Sequence, residues 1–148
     1  QAFEELGTHT VPYIPHRVEE GHGLNLAAVN RLRDQGCTLI ITADCGINGI
    51  ENGVVPKDVD LIVTDHHLPS DEIPSYFAAI NAHLPSSQYP YPELTGVGIA
   101  FKLVQAIFAA LGRDLKRDYL ELVALGTIAD VGSLRGENRY LVGPYKTK

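Results

Sequence analysis

Residues 62–67 read Ile-Val-Thr-Asp-His-His. A β-branched apolar run of this kind is most economically a buried strand, and it stops on one carboxylate and two imidazoles, Asp65, His66 and His67. Apolar runs without alternation belong to sheets covered on both faces, which are typically parallel. The pattern occurs again at Leu39-Ile-Ile-Thr-Ala-Asp44, and a third acid, Asp130, follows Leu125-Gly-Thr-Ile-Ala. In a parallel α/β sheet the carboxyl ends of the strands are where ligands sit. Three acids after three apolar runs, with a histidine pair, therefore point to one metal-centred site.

Local signals between these runs predict the remaining elements. Residues 1–6 finish a helix stopped by Gly7, and 10–14 form a short strand ended by Pro15. A polar loop follows to Gly23. Asn25 is placed to cap a helix over 26–35, with Gly36 as its C-terminal stop. Strands are expected at 37–43, 59–64 and 77–81, and a short helix at 47–53. After a loop rich in Pro, Ser and Tyr (82–95), Val97, Phe101, Val104, Phe108 and Leu111 form one apolar stripe of a helix over 97–111. A further helix covers 115–128, and Glu137 begins a last short one. Strands alternating with helices imply parallel βαβ units: an α/β fold, a doubly wound, mainly parallel sheet with flanking helices.

At 148 residues the chain has the size of one domain with a real core. No apolar stretch approaches the roughly 18–20 residues that span a bilayer, so no membrane is expected. Cys37 and Cys45 are the two cysteines; at most one bridge excludes a disulfide scaffold and favours a reducing, cytoplasmic location. The net charge of −6 argues against a duplex-coating basic protein. It leaves room for a nuclease, because divalent cations can supply the positive charge that meets a phosphate. The chain opens on Gln1, contains no Met and ends on Gly143-Pro-Tyr-Lys-Thr-Lys, which reads as a fragment of a longer protein.

The candidate residues divide by chemistry. Asp44 and Asp65, at the ends of neighbouring parallel strands, would lie about one strand spacing, ~5 Å, apart. A lone Asp44 reads first as a turn or cap residue, but two such acids repel unless a cation lies between them. In an extended turn His66 and His67 point in different directions, so one can ligate a metal while the other faces substrate. Mixed carboxylate and imidazole ligation suits Mn²⁺, Zn²⁺ or Fe²⁺ better than Ca²⁺. Asp130 ends a helix, where the dipole disfavours an anion, so another role for it is implied. Gly96-Val-Gly98 opens the longest helix, where free N–H groups could hold a phosphate, or the glycines could serve close packing. Arg17 and His22 lie in the polar loop and could touch substrate phosphate or be merely solvated. His9, His16 and His83 carry no signal, and Cys45 has acidic neighbours that do not activate a thiol.

Four segments, Leu39-Ile-Ile-Thr-Ala-Asp-Cys-Gly-Ile, Val63-Thr-Asp-His-His-Leu-Pro, Gly96-Val-Gly-Ile-Ala-Phe-Lys-Leu and Ala124-Leu-Gly-Thr-Ile-Ala-Asp-Val, resemble the DHH phosphoesterase superfamily. With residues 13–25 they are similar in particular to the RecJ group of single-stranded-DNA-specific exonucleases. The resemblance implies a 5′-to-3′ exonuclease of DNA repair and recombination that uses two divalent ions, Mn²⁺ or Mg²⁺, to hydrolyse phosphodiesters. It implies that Asp44 bridges the ions, that His66 and Asp130 complete one ion's shell, that Asp65 supports that shell and that His67 faces the scissile phosphate. Single-stranded DNA is the implied partner, with a helicase and a single-strand-binding protein around the full-length protein. The family's first motif, an Asp-rich turn, has no counterpart, since residues 1–33 contain no Asp. The expected organisation is a DHH catalytic domain at 1–135 lacking that motif, and at 136–148 the start of a linker helix to a further domain. Such a fragment is expected to be inactive alone and to hold at most one metal weakly. The alternatives are another phosphoesterase of the superfamily, acting on short RNA, cyclic dinucleotides or bisphosphorylated nucleotides, or a non-catalytic replication scaffold.

Overall fold

The computed structural model describes residues 1–51 and 53–143. Its helices are α1 (Ala2–Glu5), α2 (Leu26–Asp34), α3 (Gly96–Ala110), α4 (Tyr119–Ala129) and α5 (Gly136–Val142). Its strands are β1 (Leu24–Asn25), β2 (Leu39–Ile41), β3 (Ile50–Glu51), β4 (Asp60–Thr64) and β5 (Ala78–Ile80). All strand pairings are parallel: a three-stranded sheet in the order β2-β4-β5, and a separate two-stranded one, β1-β3. The α/β class with a parallel sheet and flanking helices is as expected.

The start of α2 follows its sequence signal closely: the Asn25 side chain accepts a hydrogen bond from the Ala28 N–H at 2.7 Å. The helix sends Val29 and Leu32 into a core with Ile40, Ile47, Val59, Leu61 and Val63 from around the sheet. A second core joins the later helices, with Leu94, Ile99, Val123 and Leu141 buried together. Helix α3 packs against α4 and β4, and α4 packs against α5, so a helical layer rests on the sheet.

Several local expectations fail. Residues 10–14 are not a strand; they have no ladder partner among the described residues, and Pro12 has no N–H to donate. Val11 and Tyr13 nonetheless pack on the sheet core. Residues 47–53 do not form a helix: Gly49 has φ +107, outside helical space, and Ile50–Glu51 instead pairs with β1. Asn48, Gly49 and Gly53 are weak helix formers, so a strand partner wins. Residues 37–43 and 115–128 hold shorter elements than expected, and Leu111, at the end of the α3 stripe, is exposed because the helix stops at Ala110. Of the expected linker segment 136–148, α5 occupies 136–142, and residues 144–148 lie outside the described part.

Candidate metal centre

Strands β2 and β4 are adjacent and parallel, with Ile41 opposite Ile62, so they end side by side. Threonines tie the ends together: Thr64 Oγ1 donates to Thr42 O and Thr42 Oγ1 to Cys45 O, both at 2.7 Å. The Asp44 N–H then donates to Thr64 O at 2.9 Å. Asp44 turns into the left-handed region, φ +66, which an aspartate tolerates better than most residues. The chain thus reverses at the end of β2 with the Asp44 carboxylate at its tip.

Asp65 does something different with its carboxylate. It is only 2% exposed. Its Oδ2 accepts from the Ile47 N–H at 3.0 Å, and its Oδ1 from the N–H groups of His66 and His67 at 2.8 and 3.2 Å. His67 Nδ1 lies 2.7 Å from the same Oδ1. Burial alone would raise this carboxyl, but the Ile47 and His67 hydrogen bonds outweigh it and hold the pKa below the ordinary value. For His67 the Asp65 hydrogen bond raises the pKa against a smaller effect of burial. With Nδ1 engaged, Nε2 is the ring nitrogen left to face outward.

Because both histidine N–H groups wrap around one oxygen, the turn is not extended. The two rings therefore do not diverge as expected: their centroids are 4.6 Å apart, tilted by 56°. His66 Nε2 lies 3.0 Å from Asp44 Oδ1 and 3.6 Å from Asp130 Oδ2. Asp44, His66 and His67 each offer a ligand atom within 4.8 Å of one another. Burial pushes the Asp44 carboxyl up, with His66 opposing this and Asp130 adding to it. Two carboxylates facing one imidazole, with desolvation disfavouring the charge on Asp44, are a set of donors that could hold a divalent cation.

Asp130 arrives from the other side of the fold. It is the C-cap of α4, which ends in a Schellman turn: Val131 N–H donates to Ile128 O at 3.1 Å and Gly132 N–H to Thr127 O at 2.9 Å. Thr127 is fully buried and shares a 3.1 Å hydroxyl contact with Thr95, which precedes α3. That contact sets the start of α3 against the end of α4, bringing Gly96 and Asp130 to the sheet.

Of the other candidates, Gly96 and Gly98 are buried in the first turn of α3. Arg17 and His22 are exposed, and no hydrogen bond or ion pair joins either to the Asp44 cluster among the described residues. Cys45 has no activated thiol; burial, then Asp65 and Asp44, push its pKa to about 11. Asn81 was not anticipated: it is 4% exposed, donates to His67 O at 2.8 Å and accepts from the His83 N–H at 2.8 Å. It follows Ala78-Ala79-Ile80 just as Asp44 and Asp65 follow their runs, so the signal was present in the pattern.

The sequence model described as the DHH family, N-terminal domain, matches residues 1–127. The chain belongs to the DHH family. Among relatives of this DHH domain, the single-stranded-DNA-specific exonuclease RecJ of Bacillus subtilis is 43% identical over 141 residues, covering 94% of this chain and 17% of that protein. RecJ of Escherichia coli is 38% identical over 155 residues, covering 95% of this chain and 27% of its own length. A crystal structure of exonuclease RecJ bound to manganese superimposes with a TM-score of 0.79 at 37% identity, covering 95% of this chain and 36% of the other. The DHH chain thus spans about a sixth to a third of the proteins it matches. Among its described residues no helix is long and apolar enough to cross a membrane.

Proposed function

We propose that this DHH domain is the metal-binding part of a 5′-to-3′ single-stranded-DNA exonuclease, a phosphodiesterase of DNA repair and recombination in the cytoplasm. The observation that carries the reading is the convergence of Asp44, His66 and Asp130 from two different layers of the fold, with His66 Nε2 3.0 and 3.6 Å from the two acids. The likeness to RecJ proteins, one of them solved with manganese, supports the choice of substrate and metal.

The donor set fits Mn²⁺ or Mg²⁺: Asp44 and His66 would hold one ion, with Asp130, 3.6 Å from His66, and His67 of the same cluster completing its shell. A divalent ion bound there would supply Lewis-acid polarisation of a phosphodiester oxygen and a water acidic enough to attack at neutral pH. The chain's own residues do the positioning. Asp65 holds His67 by Nδ1, which leaves the opposite nitrogen free, and the protonated ring that Asp65 favours can donate from it to a phosphate oxygen. Asn81 pins the His67 carbonyl, fixing the turn from behind. A second ion would need ligands besides Asp44, His66 and Asp130. A helicase and a single-strand-binding protein are the partners that would deliver such a strand.

The test is a Mn²⁺ titration followed by calorimetry, with hydrolysis assays on 5′-phosphorylated single-stranded DNA, dinucleotides and 3′,5′-bisphosphorylated adenosine. The chain should bind Mn²⁺ weakly, lose that binding in Asp44→Ala and His66→Ala, and release no nucleotide alone. A full-length protein containing it should prefer the single-stranded DNA. Wild-type Mn²⁺ binding in both variants, or preference for the small nucleotides, would overturn the reading.

A further inference from the structure

Asp44 is the most exposed acid of the cluster, its side chain 54% accessible, yet its carboxylate has little freedom. Its backbone is fixed in the left-handed region by the Thr64 hydrogen bond, and its Oδ1 faces His66. The third constraint comes from α3. A Cβ placed on Gly96 would overlap Asp44 Oδ1 and come within 2.7 Å of Cγ and 2.8 Å of Cβ. All three nearest atoms belong to Asp44. Side-chain carbons do not approach so closely, so a methyl group there must displace the carboxylate or push α3 away from the sheet. Gly98, two residues on, differs: its added Cβ would meet the buried core side chain of Leu94 and not a residue of the cluster.

No hydrogen bond joins the Asp44 carboxylate to the first N–H groups of α3 among the described residues. Gly96 therefore supplies shape, a bare backbone surface against which the carboxylate rests while facing His66 and Asp130. We propose that Gly96 is a positioning residue whose missing side chain sets the Asp44 carboxylate in its metal-binding orientation, through the contact of the first residue of α3 with the tip of β2. The proposal rests on the reading of Asp44 as a ligand, and it concerns the substitution that the ligand's neighbour cannot tolerate.

The experiment is a double-mutant cycle on the chain: wild type, Gly96→Ala, Asp44→Gly and the double variant, each measured by Mn²⁺ calorimetry and by metal-free thermal unfolding. Gly96→Ala should weaken Mn²⁺ about 10–100-fold, the usual effect of disturbing a group that orients a ligand. It should lower the metal-free Tm in the presence of Asp44 and lower it far less in the Asp44→Gly background, where the three atoms nearest the methyl are gone. Unchanged Mn²⁺ affinity in Gly96→Ala would overturn the proposal, as would an equal Tm loss in both backgrounds. Should Gly96→Ala alone fail to fold, recovery of folding in the double variant supports the contact and continued failure overturns it. Equal Mn²⁺ affinity in wild type and Asp44→Gly would instead remove Asp44 from the ligand set, while the Tm cycle still decides whether the contact exists.

Discussion

Four donors converge on the Asp65 carboxylate: three backbone N–H groups and His67 Nδ1. Asp65→Asn must turn an NH₂ toward one of them, and the least crowded choice faces the Ile47 N–H. Losing a charge-assisted hydrogen bond in a buried setting costs ~1.5–3 kcal/mol, so denaturant unfolding should show a loss of that size. The same pair sets a pH window. The lowered Asp65 pKa contributes stability present above the ordinary carboxylate range and lost as pH falls through the lowered value. The raised His67 pKa contributes stability that is full below the ordinary imidazole value, about 6.5, and lost as pH rises through the raised one. Metal-free Tm should therefore be greatest between the two, and His67→Ala should remove the alkaline decline; a decline unchanged in that variant would contradict the assignment. At this scale Asp44, Asp65, His66, His67 and Asp130 were legible because each ends an apolar run. Asn81 carried the same signal but no charge. The division of labour between Asp44 and Asp65 was not legible, since it depends on which carboxylate the surrounding N–H groups enclose.

Helix α4 ends by placing Val131 at φ +56, and the residue is 89% exposed. A β-branched residue in the left-handed region costs roughly 1–2 kcal/mol, and this one recovers nothing by burial. Val131→Gly should therefore raise stability by about 1 kcal/mol, a Tm increase of roughly 2–4 °C for a chain of this size. A lower Tm would show that the turn does not store the strain. The helix starts and stops that sequence signals locate well are those with a chemical cap, such as Asn25 before α2 and Gly36, at φ +90, after it. Residues 10–14 and 47–53 were misread because strand identity depends on a partner. A run reading as a strand stayed unpaired, and Ile50–Glu51 became one only by meeting Leu24–Asn25. Pairing between distant segments has no local signature.

On the scale of the whole molecule, the parallel α/β class was readable from the order of apolar runs and helical stripes. The division into two cores was not, because the stripes do not say which neighbours they meet. One core holds α2 and the strands, the other holds the segment from Tyr91 onward with α3, α4 and α5. Asp44 and His66 follow strands of the first, and Asp130 caps a helix of the second. Saturating Mn²⁺ should accordingly slow amide hydrogen exchange in α4 and α5 beyond its effect on α2, and Asp130→Ala should abolish the excess protection. Uniform protection across both layers would mean that the ion touches only the sheet. If the ion joins the layers, reciprocity applies: whatever tilts the helices on the sheet must change metal affinity by the same factor by which the metal resists the tilt. The cluster at the end of β4 would then act as a clasp, and a strand of nucleic acid that pried the layers apart would also loosen the ion needed to cut it.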